Sequence, residues 1–170
     1  MLSRRSALSV MLAMVTGGAA ASVAAAPAPA AQAAAASHDH AGAEKKKSCS
    51  DSGNAPKTVF QLNNADDTAL VLRVAANYLL AVPNAEVTVV AYNTGGEFML
   101  KEARDASGKP YSEQINRLAD RCVIFKACNN WLKSRNLKPE AVVSPVVVVP
   151  SAVIEILRLQ HEEGFAYFRP

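Results

Sequence analysis

Cysteine is the side chain in this sequence best suited to covalent chemistry, and three are present: Cys49, Cys122 and Cys128. Cys128 has the most telling surroundings. It ends the apolar run "CVIFKAC", and Asn129, Asn130 and a short basic stretch that reads as a helix come after it. A thiol at a helix start meets the positive end of the helix dipole, which favours thiolate over thiol. Lys126 and Lys133 can add to that field, and the amides of Asn129 and Asn130 can donate hydrogen bonds to an anion. The competing reading is a small side chain filling a tight turn. Position alone leaves the two open.

The other two cysteines have different prospects. Cys122 opens the same strand as Cys128, and six extended residues separate two sites by roughly 20 Å. The pair cannot bridge each other, and Cys122 is expected to be a packing residue. Cys49 lies on an unpatterned segment from which it can pair with Cys128, resolve it, or pair between chains. An odd count allows one intrachain disulfide and leaves one thiol over.

Nothing else in the chain forms a catalytic constellation. No serine–histidine–aspartate set or carboxylate pair declares itself. Gly95 and Gly96 sit in "NTGG", where a backbone can approach an anion closely, but the stretch matches neither common nucleotide-binding glycine pattern. His38, Asp39 and His40 are adjacent on a segment without preset geometry, so neither a metal site nor a cofactor is expected.

Strands must position the thiol. Lys57–Leu62 is β-branched and aromatic, and Asn64 can cap the helix after it. From Thr68, Leu70, Val71, Val74, Ala75, Tyr78 and Leu79 recur at helical spacing until Pro83. Glu86–Tyr92 is a second strand, apolar on nearly every residue towards its end, as burial on both faces requires. The pattern then predicts a helix from near Glu97, a helix over 111–120, the strand before Cys128 and a helix to about Arg135. A fourth strand lies between Pro145 and Pro150, and a helix capped by Ser151 stops at Gly164. A short fifth strand closes the chain. Alternating strands and helices imply an α/β fold: a five-stranded, mostly parallel sheet with helices on both faces. Ligands in such sheets gather at the C-terminal strand ends. That makes Asn63, Gly95, Gly96, Cys128, Asn129, Asn130 and Ser151 the candidate site.

The net charge of +3 is too small, and too unpatterned, to indicate a nucleic-acid partner. The N-terminus carries a stronger message. Arg4 and Arg5 precede an apolar segment and then A-x-A sites, the order of a signal peptide. "SRRSAL" resembles the twin-arginine export motif, but Ala7 stands where phenylalanine is common and the lysine is missing, which leaves ordinary Sec export open. The expected organisation is a twin-arginine-like signal peptide over residues 1–30, a disordered tether over 31–56 and a folded domain over 57–170. The expected location is periplasmic, with no membrane span after processing.

Three stretches together resemble the DsrE/DsrF-like family: the opening "KTVFQL", the segment "FKACNNWLKSRN", and the closing "VVVVPSAVIEILRLQHEEGFAYFRP". The resemblance covers 57–170. Its most specific pieces are Phe125, Ala127, Cys128, Asn130 and Leu132, and then Gly164 to Pro170. It implies an α/β fold assembled as a homo-oligomer, a trimer or hexamer. It also implies sulfur carried as a persulfide on Cys128, with donor and acceptor proteins as partners. The export signal departs from the cytoplasmic relay members and excludes a tRNA acceptor. The alternative is a non-catalytic oligomeric module of the same fold that binds a ligand or assembles with a partner.

Overall fold

The computed structural model describes residues 55–170. The expected signal peptide, nearly all of the expected tether, Cys49 and the His38–His40 triplet lie outside the described residues.

The domain is a sheet of five strands: β1 (Lys57–Leu62), β2 (Glu86–Ala91), β3 (Val123–Cys128), β4 (Val146–Val149) and β5 (Ala166–Phe168). Their spatial order is β4-β3-β2-β1-β5, and every pairing is parallel. The α/β expectation holds, with five strands as read. Four α-helices accompany the sheet: α1 (Thr68–Ala81), α2 (Tyr111–Ala119), α3 (Asn129–Ser134) and α4 (Ala152–Glu162). Pro56, read as the end of the tether, already accepts a hydrogen bond from the Glu86 amide at 2.8 Å.

Register decides which side chains share a face. In a strand, successive side chains point to opposite sides. On β3, Lys126 pairs with Glu155 of α4, and the Cys128 sulfur accepts from the Ala152 amide. Phe125 points the other way, where Phe98 meets it edge-on at 6.2 Å. The chain steps from β1 to β4 in sequence order, and α4 then carries it back across the sheet to β5. That return helix buries Ala152, Ile156 and Leu159 against the sheet. The opposite face packs on α2 and the 93–99 segment. The core between the layers is aliphatic and aromatic, with Phe125, Leu62, Met99, Ile115 and Leu132 fully enclosed.

Two local expectations change. The segment after β2 is not a helix beginning near Glu97 but a 3-10 helix over Asn93–Met99. Its two glycines are buried, with the Leu62–Asn63 backbone and the Trp131 ring where a Cβ would stand, which holds the segment close against those neighbours. Cys122 does not open β3. It precedes the strand in a left-handed turn with φ of 70°, its amide bonded to the Ala119 carbonyl at 2.9 Å.

Candidate functional site

The site is assembled from the ends of four strands. Leu62, at the end of β1, hands over to Asn63, whose carbonyl accepts from the Thr94 hydroxyl at 3.4 Å. The same hydroxyl accepts from the Ala65 amide at 3.2 Å, which ties the β1 exit to the β2 exit. Asn64 caps the short helical turn as its residue type predicts, its side chain accepting from the Asp66 amide at 3.3 Å.

Gly95 and Gly96 pack where no side chain fits. A Cβ on Gly95 would lie 2.6 Å from the Leu62 carbonyl oxygen, and one on Gly96 would lie 2.8 Å from the Trp131 ring. Both glycines are buried. Together they let the β1 exit, the 93–99 segment and α3 close on one another. Trp131 is itself buried, and its indole Nε1 has no hydrogen-bond partner among the described residues.

Cys128 ends β3 and is the backbone N-cap of α3, yet its side chain makes no capping bond to that helix. Strand parity turns the sulfur to the other face. There it accepts a hydrogen bond from the Ala152 amide, with N···S of 3.4 Å. The helix whose N-terminus meets the thiol is therefore α4, not α3. Ser151 is the N-cap of α4, but its hydroxyl makes no capping bond, and the sulfur takes the first amide instead. Cys128 is free and 6% exposed. Asn129 is half-buried and Asn130 exposed.

Cys122, expected to be a packing residue, is disulfide-bonded. It lies in a half-exposed turn, where a bridge can reach it, rather than inside the strand.

The two lysines expected to support a thiolate separate. Lys133 is exposed. Lys126 lies on the same face of β3 as Cys128, two residues earlier, and is committed to Glu155 through a short ion pair. Arg158 completes the network, with Nη2 at 2.9 Å and Nε at 3.1 Å from the same carboxylate. Hydrogen bonds from Arg158, and then from Lys126, outweigh burial and hold the Glu155 carboxyl down at about 2. The i,i+3 spacing of Glu155 and Arg158 is visible in the sequence. The link to Lys126 requires knowing that α4 returns over β3.

Asn63, Gly95 and Gly96 thus form one contact chain with Trp131, while Cys128 meets Ala152, the residue after Ser151, across the β3–α4 junction. Among the described residues no cluster of three or more histidine, cysteine, aspartate or glutamate side chains could hold a metal ion. No helix there is long and apolar enough to cross a membrane.

A search of curated proteins returns no match. The fold is shared with MTH1491 from Methanobacterium thermoautotrophicum, a solved protein of unknown function. That protein is 27% identical over 68% of this chain and 99% of its own, with a TM-score of 0.60. It is also shared with the E. coli ychN protein, 14% identical over 66% of this chain and 99% of its own, with a TM-score of 0.54. The DsrE/DsrF-like family profile matches residues 10–170, which spans every described element. The chain belongs to the DsrE/DsrF-like family.

Proposed function

We propose that this protein is an exported carrier of sulfane sulfur, held as a persulfide on Cys128. One observation carries the reading: a free thiol at the end of an interior strand receives a backbone N–H from the first residue of α4. Such a donor stabilises the negative charge that Sγ carries as the attacking thiolate and again as the leaving thiolate. Membership of a family with a sulfur-relay-type fold supports it.

The chemistry balances without a cofactor. The Cys128 thiolate attacks the terminal sulfur of a polysulfide, an S–S bond forms at Cys128, and the shortened polysulfide leaves with the electron pair of the broken bond. In the second step an acceptor thiolate attacks the outer sulfur, and Cys128 leaves as thiolate. Asn129 and Ser151, which flank the junction, are the nearest polar side chains in sequence for orienting the donor. Protein partners that supply and accept sulfur complete the relay.

Export is supported by the order of paired arginine, apolar segment and A-x-A sites, and by the disulfide at Cys122, since structural disulfides persist in oxidising compartments. Assembly into a homo-oligomer is supported by an uncovered apolar surface on the α4 side. Ile124 and Val147 of the sheet and Val153, Ile154 and Leu157 of α4 are 43–67% exposed.

The test is intact mass of the mature protein after incubation with polysulfide. Wild type gains sulfur on one residue, dithiothreitol removes it, and Cys128→Ser gains none there. An equal gain in Cys128→Ser, or none in wild type, overturns the reading. A second reading, an assembly module without thiol chemistry, is favoured by the near-complete burial of Cys128. It predicts the second of those outcomes.

A further inference from the structure

The face of the sheet opposite Cys128 carries a groove between α1 and α2 with a volume of about 620 Å³. Its floor is apolar, formed by Leu72 and Ala76 of α1 and Leu118 of α2. Arg73, Arg117 and Arg121 rim it, all three exposed. Helical spacing produces the arrangement: residues 72, 73 and 76 fall on one side of α1, and 117, 118 and 121 on one side of the α2 end.

The charge around this groove is unbalanced. Arg73 and Arg121 have no carboxylate partner among the described residues. Arg117 reaches Glu113 only at 3.9 Å, with both side chains more than half exposed. Elsewhere in the domain Arg135 and Arg158 pair with carboxylates at 2.8 and 2.9 Å. The one carboxylate lining the groove, Asp105, is already occupied. One of its oxygens accepts from the Ser107 amide at 2.8 Å, the Ser107 hydroxyl at 2.7 Å and the Lys109 amide at 3.0 Å. The other accepts from Gln114 at 3.3 Å. Asp105 thereby spends its acceptor oxygens on neighbouring donors and pairs with none of the three guanidinium groups.

Unpaired guanidinium groups around an apolar floor complement a molecule with an acidic head and an apolar body. We propose that this groove binds a small amphiphilic anion, a carboxylate or sulfonate on a short aliphatic or aromatic body. The volume suits a small molecule, since such sites span roughly 300–1,000 Å³. A partner helix about 10 Å thick would stand proud of it. The site is separate from the thiol, which lies on the other face of the sheet.

Titration calorimetry of the mature protein with decanoate, below its micelle concentration, tests the proposal. Decanoate binds saturably at one site per chain. Arg73→Gln with Arg121→Gln weakens binding at least about tenfold, as loss of charged hydrogen bonds requires. Decanol and acetate, each lacking half of the recognised chemistry, bind more weakly than decanoate. Ala69→Phe, an exposed position lining the groove, fills it and abolishes binding while the thermal midpoint stays near wild type. Cys128→Ser binds decanoate as wild type does, so failure here and failure of the sulfur reading are distinguishable. Absence of saturable binding, equal affinity in the double arginine variant, or acetate binding as tightly as decanoate overturns the proposal.

Discussion

The Cys128 sulfur lies 3.4 Å from the amide nitrogen of Ala152, the first residue of α4. The thiol is therefore both the end of a strand and the acceptor for the first amide of the returning helix. Removing it leaves that amide without its bond. Cys128→Ala is expected to lower stability by about 1–2 kcal/mol, from one lost hydrogen bond plus a small void. Urea denaturation checks this, and an unchanged midpoint would show that the sulfur does not hold α4.

The thiol inventory gives a second expectation. Cys122 is bridged and Cys128 is free. Alkylation in denaturant without reductant should modify Cys128 and leave Cys122 unmodified, as read by peptide mass. Reduction beforehand should expose all three cysteines of the sequence. Modification of Cys122 without reductant would contradict the bridge.

The Glu155 network makes stability depend on pH. Its carboxyl is lowered from an ordinary 4.5 to about 2 by Arg158 and Lys126. A folded-state value below the unfolded one means the charged form favours folding. That contribution is complete above the unfolded value, near 4.5, and is lost as the pH falls towards 2. Glu155→Gln should be less stable than wild type at neutral pH, with the gap narrowing as the pH drops through that window. A gap independent of pH would mean that the carboxylate charge is not what the network uses.

The glycine pair should respond unequally to alanine. At Gly95 the new Cβ meets backbone, the Leu62 carbonyl at 2.6 Å, which cannot swing away. A loss of about 1–3 kcal/mol is expected, in the range of overpacked cores. At Gly96 the obstacle is the Trp131 ring, so Trp131→Leu should reduce the cost of Gly96→Ala. A double-mutant cycle by thermal unfolding reads that coupling directly, and additive losses would refute it.

The exposed apolar surface on the α4 side leads to an assembly test. Ile154 is 67% and Leu157 49% exposed. Changing both to glutamate should shift the protein to monomers in light scattering without unfolding it, because neither side chain is buried in the core. Wild type running as a strict monomer at micromolar concentration would rule out the homo-oligomer.

Much of the fold is legible from pattern alone. Val146–Val149 between two prolines, the α1 positions Val71, Ala75 and Leu79, and the stop at Gly164 are consequences of local rules. Strand alternation, helical spacing and the left-handed freedom of glycine, here with φ of 73° at Gly164, act over a few residues. Cys128 at a strand exit is equally local. The 93–99 segment departs from its pattern because its conformation depends on the atoms that press on Gly95 and Gly96, and both neighbours are distant in sequence.

The sequence by itself determined the parallel α/β class, the strand that ends at Cys128 and the family to which the chain belongs. Only the tertiary structure decided which helix meets the thiol. Sequence adjacency suggested α3, but successive strand side chains point to opposite faces, so the sulfur turns away from the helix next to it in the chain. The strand order then brings α4 back over that face, which places Ala152 against Cys128 and Glu155 against Lys126. Contacts between residues 24 and 29 positions apart arise from the crossover that joins β4 to β5, and no local pattern encodes them.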